Sequence, residues 1–140
     1  MIRGYFTRGV ISRPFVTARL QFPNLDQRDF SVEFLIDTGA DRTTLSPVDA
    51  RRIGLDVTPL PQGLPSTGVG GRASTGNIDS VLTLDSFSAS LTLTIIETPL
   101  PIPSLLGRDI LSRFALFLDE RAPQVLLLDE AEVASLNLPG

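Results

Sequence analysis

Apolar residues fall along this chain in short runs of Val, Ile, Leu, Phe and Thr separated by turn-forming residues, a pattern of many brief strands. From Val10 to Phe22 they recur without helical spacing, and Ser31 to Asp37 is a run of Val, Phe, Leu and Ile interrupted by Glu33. Both segments predict strands. Thr43-Thr44-Leu45 predicts a short one. Val81 to Leu84 and Leu91 to Ile96, separated by Asp85 to Ser90, predict a hairpin, and so do Ala115 to Leu118 and Val125 to Leu128, separated by Asp119 to Gln124 with Pro123 inside.

Two short helices interrupt this pattern. Ser46-Pro47-Val48-Asp49 offers an N-cap serine, proline at the first helical position and an acid in the first turn, with Gly54 standing where the helix would stop after Arg51-Arg52. Arg108 to Phe114 brings Ile110, Leu111 and Phe114 to one face just after Gly107. The stretch Thr58 to Gly76, rich in Pro and Gly, reads as a mobile loop inside the domain rather than a linker, and Ala131 to Gly140 as a weakly ordered tail. The fold class is therefore mainly β.

Composition narrows the chemistry. The 140 residues, 42% of them apolar, are enough for one domain spanning 1–140 with a buried core. With no His and no Cys the chain cannot build the usual zinc site, a Ser-His-Asp triad, a cysteine nucleophile or a disulfide. Any catalysis must rest on carboxylates, hydroxyls, amines or backbone, with no metal and no cofactor expected. A net charge of -4 without a Lys or Arg cluster predicts no nucleic-acid partner. No apolar stretch is long enough to span a membrane and the first residues lack the apolar centre of a signal peptide, so no membrane partner and a cytoplasmic location are expected.

The stretch with most chemical content runs from Phe34 to Leu45. An apolar strand delivers Asp37 onto a turn of Thr38, Gly39 and Ala40, and the chain returns at once to β-rich sequence. Small residues there let amide N–H groups approach the carboxylate, and the Thr38 hydroxyl is placed to help orient it. The same four residues are also compatible with an ordinary turn in which an Asp bonds its own backbone two residues on.

The context of this turn resembles a known family. Leu35-Ile36-Asp37-Thr38-Gly39-Ala40-Asp41 is similar to the active-site segment of the retropepsin-like, single-lobed aspartic proteases. Thr67-Gly68-Val69-Gly70-Gly71 resembles their glycine-rich flap tip, and Ser104-Leu105-Leu106-Gly107-Arg108-Asp109-Ile110-Leu111 their apolar-apolar-Gly-Arg-Asp/Asn entry into a short helix. The three matches occur in the family's order. The resemblance implies a closed β-barrel or sandwich with a flap hairpin and one or two short helices, acting as a homodimer. It also implies an aspartic endopeptidase that hydrolyses peptide bonds with Asp37 contributed by each of two identical subunits.

Such a chemistry suits this residue inventory. Two close carboxylates sharing one proton can hydrolyse a peptide without metal or nucleophilic side chain: one activates water and the other hydrogen-bonds the scissile carbonyl. The chain carries a single Asp-Thr-Gly, so a second copy must supply the second acid.

By the same resemblance, Thr38 bonds across the dimer, Gly39 presents its carbonyl to bound peptide, Ala40 belongs to the active-site turn, and Asp41 pairs with Arg108 beneath the site. Gly68, Val69, Gly70 and Gly71 would close over substrate, although Pro61 and Pro65 and the lack of an aromatic residue between Leu60 and Asp79 depart from the family pattern. Ile36, Leu106 and Leu111 are expected in the core. An alternative keeps the fold and dimer but makes the protein a catalytically inactive peptide-binding or assembly module. A third reading, a monomeric β-domain without a site, requires all three matches to be accidental.

Overall fold

The computed structural model of the protein describes residues 1–55 and 74–139. The strands are β1 (Ile2–Arg3), β2 (Tyr5–Phe6), β3 (Pro14–Phe22), β4 (Asp26–Ile36), β5 (Thr44–Leu45), β6 (Ser74–Leu84), β7 (Phe87–Glu97), β8 (Ser104–Leu106), β9 (Ala115–Asp119) and β10 (Gln124–Leu128). Three short helices join them: α1 (Pro47–Arg52), α2 (Arg108–Leu111) and α3 (Glu130–Ser135). None is long and apolar enough to cross a membrane.

Strand alternation builds the interior. On β3, Val16, Ala18, Leu20 and Phe22 point inward, and Val32, Phe34 and Ile36 do so on β4, all at most 6% exposed. Leu82, Leu84, Leu93, Ile95, Leu45 and Leu106 complete one continuous core. The sheet runs β2-β3-β4-β8-β5-β7-β6, and β6 then pairs back onto β3 through Arg19↔Thr83, Leu20↔Leu82 and Gln21↔Val81, closing a six-stranded barrel. Closure removes the free edges a sheet of this size would otherwise expose. A second sheet, in the order β1-β10-β9, lies against β2 and β3.

Several expectations change. The strand anticipated from Val10 begins at Pro14, because Val10 and Ile11 stand in the solvent-exposed loop between β2 and β3. The first hairpin is longer than its apolar runs: β6 and β7 pair from Ser74↔Glu97 to Leu84↔Phe87, leaving Asp85 and Ser86 as the turn, with Asp85 at φ 50°. Alternating Ser, Thr and Asp on the outer face disguised both strands. Of the loop expected over Thr58 to Gly76, Ser74 to Gly76 belong to β6 and the preceding residues lie outside those described.

The final segment corrects the expected tail. Residues 130–135 form α3, started by a capping box in which Glu132 N donates to Asp129 Oδ1 at 2.8 Å and Asp129 N donates to Glu132 Oε1 at 3.0 Å. The helix anticipated over Arg108 to Phe114 is regular only to Leu111. α1 has the predicted start, with Asp49 N donating to Ser46 Oγ at 3.1 Å and Pro47 in the first turn.

β2 is held to the barrel wall by a shared acid. The Tyr5 hydroxyl and the Thr17 hydroxyl both donate to Glu33 Oε2 at 2.7 Å, and the Tyr5 ring stacks on Phe15. Partial burial and then the Glu33 carboxylate push the Tyr5 phenol up to about 12. A phenol whose pKa is raised by folding stabilises the native state fully below its unfolded value near 10, and that contribution disappears as pH rises from there through about 12. Tyr5 is the only tyrosine and there is no tryptophan, so ultraviolet titration reads it alone. The midpoint should lie well above 10 in the folded protein and fall toward 10 in Glu33→Gln; a wild-type midpoint at the ordinary value would refute the shared-acid anchor.

Candidate active site

Asp37 leaves the end of β4, where β4 and β8 run parallel with Phe34↔Ser104, Leu35↔Leu105 and Ile36↔Leu106 in register. Its backbone N–H donates to Leu106 O at 3.1 Å, so the acid sits where the pairing ends. The carboxylate is half-buried, and Gly39 N donates to its Oδ1 at 2.9 Å. A Cβ on Gly39 would lie 3.2 Å from that oxygen, which is why a side chain there would push against the acid it helps to orient. Ala40 N donates to Asp37 O at 3.2 Å and closes the turn. The Thr38 hydroxyl is exposed and makes no hydrogen bond among the described residues, so within one chain only the backbone orients Asp37.

The turn taken alone is an ordinary Asp turn; its attachment to the distant segment from Gly107 to Asp109 is not. Arg108 N donates to Ala40 O at 2.8 Å and Asp109 N to Asp41 O at 3.1 Å. Asp109 in return accepts from Thr43, whose N–H lies 3.1 and 3.0 Å from its two carboxylate oxygens and whose hydroxyl donates to Oδ1 at 2.7 Å. The Thr43 hydroxyl oxygen accepts from Gly107 N at 3.2 Å. Thr43 is fully buried, and every polar atom of its side chain is used.

Gly107 permits this approach. A Cβ there would stand 2.5 Å from the carbonyl carbon of Arg42 and 2.6 Å from its oxygen, distances that no backbone tolerates. Arg108 reaches across to pair with Asp41, both side chains being well exposed at 61% and 79%. A pair so open to solvent contributes about 0 to 1 kcal/mol, so it decorates the junction while the buried bonds of Thr43 and Asp109 secure it.

The structure thus brings together Asp37, Gly39, Ala40, Asp41 and Arg108, and leaves Thr38 facing solvent. Gly68, Val69, Gly70 and Gly71 lie outside the described residues. Ile36, Leu106 and Leu111 are buried as expected of core. Sequence reasoning missed Thr43 and Asp109 as participants, although Asp109 stood inside a quoted motif; the signal was an acid beside a glycine that must be buried. Among the described residues no three side chains of His, Cys, Asp or Glu type converge as metal ligands would.

Residues 26–113 match the family model described as "gag-polyprotein putative aspartyl protease". Among solved structures, a retropepsin-like aspartic protease from Rickettsia conorii is similar at 22% identity and a TM-score of 0.66, over 87% of this chain and 96% of that one. The EIAV protease complexed with the inhibitor HBY-793 is similar at 24% identity and a TM-score of 0.56, over 76% of this chain and 91% of that one. No curated protein sequence matches the chain.

The two neighbouring threonines make a direct test of this junction. Thr43→Val strands Gly107 N–H and removes a donor from Asp109, and should destabilise the fold by about 1–3 kcal/mol. Thr44 Oγ1 is buried without a partner, so Thr44→Val should be neutral or stabilising. Urea unfolding with unchanged m-values is the measurement, and equal effects at both positions would contradict the network.

Proposed function

The chain belongs to the retropepsin-like aspartic protease family, and from that premise we propose that it is an aspartic endopeptidase whose catalytic unit is a dimer of two copies, each contributing Asp37. The observation that supports this reading most directly is the state of Asp37 in one chain: an oriented, half-buried carboxylate held, among the described residues, by a single amide donor. On this reading each chain holds half of a two-carboxylate site, on a turn whose position is fixed from below by Asp109. A second copy related by a two-fold axis supplies the other half.

In such a dyad the two carboxylates share one proton because both cannot ionise cheaply at contact distance. The ionised partner takes a proton from a water molecule as its oxygen attacks the scissile carbonyl carbon, while the protonated partner hydrogen-bonds the carbonyl oxygen. The tetrahedral diol then breaks its C–N bond as the nitrogen receives a proton, leaving a carboxylic acid and an amine. The substrate is an extended polypeptide lying over the turn, with Gly39 offering its carbonyl and the glycines of Gly68 to Gly71 allowing a flap to approach by main-chain hydrogen bonds. Thr38, exposed and without a hydrogen-bond partner among the described residues, meets its own copy on this reading.

Asp37→Asn should lower turnover of a peptide library by about a thousandfold or more without changing thermal unfolding or sedimentation. Excess Asp37→Asn protein should also inhibit wild type by forming mixed dimers. Retained turnover in the purified variant would overturn the dyad, and a wild-type dimer with no cleavage of any peptide would favour the inactive assembly module. Gly70→Val should reduce turnover far more than stability, since a β-branched residue opposes close backbone approach; a fully active variant would exclude a flap role for that position.

A further inference from the structure

The barrel end that carries Asp37 also carries an apolar projection and, beside it, a pocket lined by both apolar and charged side chains. The register of β3 against β4 reaches Phe15↔Leu35, so Pro14 lies beside Ile36, one residue from Asp37. β2 continues the wall with Tyr5↔Phe15 and Phe6↔Pro14. Residues 7–13, joining those strands, therefore leave the barrel at the Asp37 end. At their tip Val10 is 105% exposed and Ile11 70%, which is the extreme for any large apolar side chain described. Beside the base of this loop Phe6, Pro14, Phe117 and Leu118 line an open pocket of about 500 Å³.

Charge on the two features is opposite. The loop carries Arg8 and Arg13, neither of which has an ionic partner among the described residues. On the pocket rim Asp119 accepts from Arg121, leaving Glu120 as the uncompensated acid. The pocket wall includes β9, which pairs with β10 on one edge and with nothing described on the other. An exposed apolar tip with basic flanks, next to an open pocket of mixed lining with a net acidic rim, is a self-complementary surface: two copies related by a two-fold axis each satisfy the other.

We infer that a second copy of this chain docks here, the Val10-Ile11 tip of each subunit entering the partner's pocket of Phe6, Pro14, Phe117 and Leu118, with Arg8 or Arg13 meeting Glu120. This rests on the reading that catalysis needs two copies, and it assigns the surface that joins them. The contact is duplicated by symmetry beside Pro14, whose register neighbour Ile36 precedes Asp37, so the inferred interface and the Asp37 turns lie at the same end of the barrel. Apolar tips buried in pockets with charged surroundings act as the anchors of such an interface.

The chain has no cysteine, so engineered thiols report only the positions chosen. Mixing Ile11→Cys protein with Leu118→Cys protein under mild oxidation should give a covalent mixed dimer in preference to either chain with itself. The double variant Val10→Asp/Ile11→Asp, altered only at exposed positions, should raise the dimer dissociation constant by at least about tenfold in sedimentation equilibrium. Its activity should fall in parallel and recover at high protein concentration. No preferential mixed disulfide, together with a double variant as dimeric as wild type, would overturn this interface while leaving the paired Asp37 mechanism intact. A double variant that is monomeric yet fully active would uphold the interface and overturn that mechanism. Wild type sedimenting as a monomer at every concentration would overturn both.

Discussion

The partly buried carboxylate of Asp109 is the point on which the candidate site depends. It receives the N–H and hydroxyl of Thr43, and its own backbone N–H reaches back to Asp41, so the turn after β4 and the start of α2 cannot move independently. Charge-assisted bonds of this kind, partly shielded from water by the buried Thr43, are worth more than surface pairs and are costly to leave half made. Without them the turn at Asp37 would be a surface loop of small residues with little to define it. With them the acid is fixed relative to a barrel whose wall is closed.

That arrangement separates two tasks that are often combined in one residue. Rigidity comes from below, through Thr43, Gly107 and Asp109, none of which faces outward as Thr38 does. In the proposed endopeptidase reactivity falls to Asp37, whose carboxylate is held among the described residues by one local bond.

Much of this was legible in the sequence where local chemistry decides structure. Ser46-Pro47 marked the start of α1, and the apolar alternation of β3, β4, β9 and β10 marked the walls. Reading failed where tertiary context overrides composition. Val10 and Ile11 look like strand residues, yet their surroundings leave them exposed; the hairpin of β6 and β7 was expected, but its full length was hidden because one face meets water. α3 was concealed by its polar composition although Asp129-Glu130-Ala131-Glu132 is a capping box by spacing alone. Asp109 was visible as part of a motif, but that its carboxylate faces inward toward Thr43 follows only from the parallel pairing of β4 and β8, which no local pattern encodes.

The pairing of Ile2 with Leu127 has a consequence in time as well as in space. During synthesis the first strand leaves the ribosome long before its partner exists, and Asp37 likewise waits for the residues that support its turn. Contacts between such distant parts of a chain form late and together. A nascent chain of the proposed endopeptidase thus lacks the support of its Asp37 turn until Gly107 to Asp109 have emerged, and the order of translation itself acts as a delay on when cutting can begin.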